Sequence, residues 1–140
     1  MKYFSLILGL LMGCGAARAT PEPRHRAVFE LTSSQPAIWS ALLENVKNLQ
    51  VALEKSGQVE IEVIAHGEGI GLLVAAGNPV TAEIQQLAKS GVVFAACKNT
   101  MKRKGISADQ LIGISIPVDS GVAEVVRKQE ASWSYLKTSQ

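Results

Sequence analysis

Apolar positions in this chain change their period from one segment to the next, in a regular alternation. Ala27 to Leu31 (AVFEL) is an almost unbroken apolar run of strand length. Beyond Ser33-Ser34-Gln35-Pro36, Ile38, Leu42, Val46, Leu49 and Leu53 recur at spacings of four, four, three and four, with Trp39 and Leu43 widening the stripe. That period marks an amphipathic helix, started by a Ser cap with Pro in its first turn and stopped at Gly57. Val59 to Ala65 reads as a second strand, with Val59, Ile61 and Val63 opposed to Glu60 and Glu62. Asn78-Pro79 opens a helix whose face is Val80, Ile84 and Leu87, and Gly91 ends it. Val92 to Ala96 is a third strand, and Asn99 to Lys104 a short helical piece closed by Gly105. Ser107 to Gln110 fits a capping box. Ile114 to Val118 is a fourth strand. A last helix is predicted from about Gly121 to Leu136, with Val122, Val125, Val126, Trp133 and Leu136 inward.

Strands alternating with helices predict an α/β fold of three layers, a parallel sheet with helices on both faces. Strands one and three are nearly all apolar, as doubly covered strands are. Strand two alternates with charge, and strand four carries Pro117, which a central position disfavours. The predicted order is therefore 2-1-3-4, with a site at the carboxyl ends near the switch between strands one and three.

The N-terminus precedes this pattern. Phe4 to Met12 is a nine-residue apolar run broken by Ser5 and Gly9, followed by Ala17-Arg18-Ala19. Residues 1–19 read as a signal peptide cleaved after Ala19, and the run is too short to span a bilayer. Leu11-Met12-Gly13-Cys14 supports a second reading, a lipoprotein box with Cys14 acylated. Localisation is then periplasmic or otherwise exported, or lipid-anchored via Cys14. No transmembrane span is expected in the mature chain. Thr20 to Arg26 is a polar, flexible lead-in, and residues 27–140 form one domain. Cleavage removes Lys2 and Arg18 and no acid, leaving twelve basic and twelve acidic side chains. A neutral domain gives no electrostatic case for nucleic acid.

Charge being neutral, the chemistry rests on few residues. Cys97 is then the only cysteine, so no internal disulfide forms, and neither CxxC nor zinc-type spacing is present. The residue follows strand three and precedes a helix start, where free backbone N–H groups and the dipole favour a thiolate, with Lys98, Lys102, Arg103 and Lys104 nearby. The opposed reading is a small buried hydrophobe beside a solvated basic face. His66, after strand two among Gly67, Gly69 and Gly71, is a candidate acid, base or loop brace. Thr32 ends strand one beside Ser33. Asn99 and Thr100 open the helical piece, and Ser120 and Gly121 open the last helix as a candidate anion position. Each is a candidate ligand-binding residue, and each also suits a plain capping role. No metal or organic cofactor is expected.

Phe29-Glu30-Leu31-Thr32, Asn45 to Leu49, Glu62 to Gly67, Ser120 to Glu124 and above all Val93-Phe94-Ala95-Ala96-Cys97-Lys98-Asn99-Thr100-Met101 resemble the DsrE/DsrF-like family, in particular its exported or uncharacterised single-domain members. The resemblance runs from about Val28 to Tyr135. It implies a flavodoxin-like sheet for 27–140 and a homo-oligomer, a trimer or hexamer. It also implies a sulfur-handling role, with a persulfide carried on the cysteine after this strand and a sulfur-donor or sulfur-acceptor protein as partner. Cys97 matches that position, and His66 and Asn99 match positions typical of the subgroup. Two departures stand against it: apparent export, where a persulfide meets oxidants, and the lack of a resolving cysteine. The alternatives are a non-catalytic oligomer that binds a small ligand beside Cys97 and a structural protein whose cysteine is inert.

Overall fold

The computed structural model describes residues 24–138, so the signal and lipidation readings, Cys14 included, lie outside the described residues. Five strands, β1 (Arg24–Leu31), β2 (Gln58–Ala65), β3 (Val93–Cys97), β4 (Ile116–Val118) and β5 (Ser134–Lys137), form one sheet. Every pairing in it is parallel. The helices are α1 (Pro36–Leu53), α2 (Thr81–Lys89), α3 (Lys98–Lys104) and α4 (Gly121–Glu130), with 3-10 segments at Gly67–Leu73 and Ala108–Gln110. None of the described helices is long and apolar enough to cross a membrane.

Side-chain alternation divides the sheet into two unequal faces. Phe29 and Leu31 of β1, Ile61 and Val63 of β2, and Phe94 and Ala96 of β3 meet Leu42 and Val46 of α1, Ile84 and Leu87 of α2, Met101 of α3, and Ile70, Leu72 and Leu73 of the 3-10 segment. Each fully buried Leu, Ile or Phe there is worth about 1.5–3 kcal/mol, so this face holds the fold. The opposite face is covered by α4 alone. Its core is Val28, Ile64, Ala95 and Val125, with Val118 and Trp133 packed beside it. By the same parity Glu30, Glu62 and Cys97 point toward α4.

The sheet order is β4-β3-β2-β1-β5, which corrects the expected 2-1-3-4. Strand two is the centre of the sheet and not its edge. Its alternating charge misled because the acids are met by bases: Glu60 by Arg24 at 3.1 Å at the exposed strand start, and buried Glu62 by Lys128 at 2.5 Å. The expected switch between strands one and three is also absent. The chain runs outward through β2, β3 and β4, then returns over the far face by α4 to place β5 beside β1, so the direction reverses at β1. β4 with Pro117 is an edge, as the proline requires.

Three further expectations change. β1 begins at Arg24, inside the segment expected to be a flexible lead-in, and pairs Arg24 to Arg26 with Gln58 to Glu60. The last helix stops at Glu130, where Ser132 takes a left-handed φ of 64°. Ser134 to Lys137 then extend along Ala27 to Glu30. Val122 and Val126, expected inward, are exposed, and only Val125 of that apolar set in α4 is buried.

Candidate functional site

Cys97 closes β3 and caps α3, with φ −70° and ψ 112°. Strand parity turns its side chain toward α4, and the chain reversal that starts α4 brings Gly121 over it. The thiol is buried, 5% exposed. Burial alone would raise its pKa. The amide of Gly121, the hydroxyl and amide of Thr100 and the amide of Asn99, in that order, more than offset this and hold the thiol below an ordinary one. The thiolate is thus stabilised by donors from two chain segments rather than by the nearby cations. Lys98, Lys102 and Arg103 are not among the leading influences on it, and Lys104 turns away to Glu68, bound at 2.7 and 2.8 Å.

Thr100 is the buried hinge of this cluster. Its Oγ1 accepts the Gly67 N–H at 3.0 Å, and the same hydroxyl is among the groups that lower the Cys97 pKa. Thr100→Val is expected to raise the midpoint pH of Cys97 alkylation by iodoacetamide. It is also expected to cost about 1–3 kcal/mol in thermal unfolding, because the Gly67 N–H loses its partner. The sign follows from linkage. Since the folded thiol is the stronger acid, its ionisation favours the fold above the unfolded thiol's pKa. That contribution is lost as pH falls through the folded value. An unchanged alkylation midpoint in the variant would contradict this role.

His66 leaves β2 at the centre of the sheet, its N–H donating to the Leu31 carbonyl at 3.1 Å. Its Nε2 lies 2.7 Å from Glu30 Oε1. The other carboxylate oxygen of Glu30 accepts the Tyr135 hydroxyl from β5. Burial raises the Glu30 pKa, but the Tyr135 hydroxyl, the hydrogen bond and charge of His66, and Lys137 outweigh it, so the acid is stronger than usual. Tyr135 is pushed up to about 12, chiefly by that hydrogen bond to Glu30. Gly121 joins this group to the thiol. A Cβ there would stand 2.9 Å from His66 Cβ and 3.2 Å from Cδ2, so the helix start lies against the imidazole while its N–H faces the sulfur.

The cluster therefore contains Cys97, Thr100, the Asn99 amide, Gly121 and His66 of the sequence-predicted residues. Ser120 acts as the cap of α4, accepting the Ala123 N–H at 3.3 Å. Thr32 is exposed beyond β1, and among the described residues its side chain joins none of these contacts. Glu30 and Tyr135 were not singled out from sequence. The signal for Glu30 was a carboxylate within an apolar run on a doubly covered strand, which needs a partner. Among the described residues no group of three His, Cys, Asp or Glu could hold a metal ion. A groove of about 620 Å³ between α1 and α2, lined by Leu43, Glu44, Lys47 and Glu83, shares no residue with this cluster.

The sequence profile of the DsrE/DsrF-like family matches residues 26–138. No curated protein matches the chain. Among solved structures, a protein of unknown function from Methanobacterium thermoautotrophicum is 33% identical with a TM-score of 0.74, the match covering 81% of this chain and 98% of that one. The ychN protein from E. coli is 12% identical with a TM-score of 0.59, over 81% of this chain and 98% of its own. A conserved protein of unknown function from Bacteroides thetaiotaomicron is 15% identical with a TM-score of 0.59, over 79% and 92%. At those identities the last two speak for the fold alone.

Proposed function

The chain belongs to the DsrE/DsrF-like family, a family associated with sulfur relay, and from that premise we propose that it takes up sulfane sulfur on Cys97 and carries it as a persulfide. The observation that carries this reading is the position of a buried thiol at the end of β3 and the start of α3, facing the start of α4, where neighbouring amides and the Thr100 hydroxyl lower its pKa against the effect of burial. The thiolate is the attacking form. It bonds to the outer sulfur of a donor, the donor's sulfur–sulfur bond breaks, and the leaving group departs with the bonding pair. Thiosulfate would release sulfite, and a persulfidated thiol would release its thiolate. No oxidant is consumed. The same donors that hold the thiolate suit the negative terminal sulfur of the product.

Burial of the sulfur favours the rival reading of an inert cysteine, but it also has a use in this one. It slows chance exchange of free thiols with a persulfide that has no resolving cysteine beside it. By the same proposal the protein is exported, or anchored through Cys14, acts as a trimer or hexamer, and exchanges sulfur with a donor or acceptor protein. These parts rest on the sequence and the family.

The test is intact-mass measurement after incubation with polysulfide or thiosulfate. The expected result is a gain of sulfur on the wild-type protein, removed by reductant and absent from Cys97→Ser. A folded wild-type protein with one titratable thiol and no adduct from either donor would leave the inert reading in its place.

A further inference from the structure

We propose that Glu30 and Tyr135 are positioning residues that lock the His66 ring with its proton on Nε2, so that Nδ1 is the atom that hands a proton to the group leaving when sulfur arrives on Cys97. This rests on the sulfur-carrying reading, although the lock itself does not. The assignment of the ring follows by elimination. A carboxylate only accepts, and a Tyr hydroxyl that retains its hydrogen donates. Glu30 stays ionised and Tyr135 stays protonated, so the contact at Nε2 can only be a hydrogen donated by the ring. Nδ1 has no protein partner among the described residues, and the His66 side chain keeps 15% of its surface open. Gly121 packs on the Cβ, Cγ and Cδ2 side and presents its N–H to Cys97, which sets imidazole and sulfur one backbone residue apart.

The arrangement is that of a proton carrier held by an orienting carboxylate. Its assembly needs three strands: Glu30 from β1, His66 from the end of β2 and Tyr135 from β5. Other charged or titratable groups at this end include Cys97 from β3, Lys137 of β5, which acts on Glu30, Lys98 after Cys97, Asp119 before Ser120 with Arg127, and the Glu68–Lys104 pair. In the step, the Cys97 thiolate bonds to the outer sulfur of a persulfidated thiol and the donor's sulfur–sulfur bond breaks. The departing thiolate takes the pair and then a proton from Nδ1 of the imidazolium. The proton borne by the new Cys97 persulfide returns to Nδ1. Charge and atoms balance, and the ring ends the step as it began. A departing thiolate is basic enough to need that proton, whereas sulfite leaving from thiosulfate is a far weaker base.

The donor comparison separates this role from simple bracing of β5. Single-turnover loading of Cys97 by glutathione persulfide is expected to slow about tenfold or more in Glu30→Gln, while loading by thiosulfate changes less than about twofold. Tyr135→Phe, which loses only a hydroxyl, is expected to slow the persulfide reaction alone by a smaller factor. Nitrogen-15 spectra of the neutral His66 ring are expected to show the proton on Nε2 in the wild type and a mixture of tautomers in Glu30→Gln. Equal slowing with both donors, no slowing with either variant, or a wild-type proton on Nδ1 would overturn the proposal. If the wild type loads from neither donor, the sulfur-carrying reading fails and the role in leaving-group protonation with it. The nitrogen spectra still decide the lock.

Discussion

Replacing Lys128 with alanine is expected to cost the fold about 3 kcal/mol near neutral pH, because it strands a buried carboxylate in the centre of the sheet. Glu62 is 4% exposed on the middle strand, and its side chain points to the thin core under α4. Lys128 Nζ reaches it at 2.5 Å, touches Glu124 at 3.7 Å and lies 4.1 Å over the Trp133 ring. The lysine is itself one-fifth exposed, which places the loss at the lower end of what breaking a buried pair costs. Lys128→Met keeps most of the stem and should lose nearly as much, since charge is the larger part. Glu62→Leu combined with Lys128→Met removes both charges and should recover most of the loss. Urea unfolding of the four proteins is the measurement. Equal losses in Lys128→Met and the double variant would show that packing, and not the stranded charge, sets the cost.

The same pair fixes the sign of a pH effect. Burial raises the Glu62 pKa, the hydrogen bond and charge of Lys128 pull it back, Glu124 raises it again, and the net direction is upward. An acid weaker in the fold than in the unfolded chain favours the fold below its unfolded pKa, and that contribution is lost as pH rises through the folded value. Without Lys128 the folded value climbs further. The deficit of Lys128→Ala is therefore expected to shrink on acidification and to be largest at neutral and alkaline pH. Because α4 also carries Gly121 to the thiol, a loosened helix should raise the Cys97 alkylation midpoint as well.

Glu62 also shows where sequence reasoning lost its way. Period, proline and glycine located α1, α2 and the short helix after Cys97, since Pro36, Gly91 and Gly105 act within a turn, although the Ser cap expected for α1 is replaced by Gln35 with no side-chain cap bond. Strand order is not local. A Glu on an alternating strand looks the same whether water or a lysine sixty-six positions later answers it, so β2 read as an edge. β5 was hidden for a similar reason. Val122, Val125, Val126, Trp133 and Leu136 fit a helical stripe, and only the left-handed Ser132 and the open side of β1 turn the last of them into a strand. In the candidate site, Cys97 was legible because a thiol at a strand end before a helix has a physical consequence wherever the strand lies. His66 was legible from its place after β2. Glu30 carried a signal, a carboxylate in an apolar run, but its partners were hidden: His66 meets it across the β1–β2 pairing, and Tyr135 only once β5 lies beside β1.

Gly69→Ala is expected to cost about 3 kcal/mol, the upper part of the range for overpacking. A Cβ at Gly69 would overlap the Leu31 carbonyl oxygen, stand 2.6 Å from the Leu31 carbonyl carbon and 2.9 Å from the Thr32 nitrogen. Those atoms are backbone and cannot rotate aside. The Leu31 carbonyl also accepts the His66 N–H, and β1 is paired on both sides, so the strand end gives way only by losing pairing. The 3-10 segment must move instead. That segment supplies the Gly67 N–H to Thr100 and, through Glu68, the partner of Lys104. The variant should therefore also raise the Cys97 alkylation midpoint, since Thr100 loses the contact that fixes its hydroxyl. Gly113→Ala is the control: nothing lies within 4 Å of its Cβ position, and its change should stay within about 0.5 kcal/mol. If chemical denaturation gives the two variants the same stability, the close approach of the 3-10 segment to the end of β1 does not constrain the site as argued.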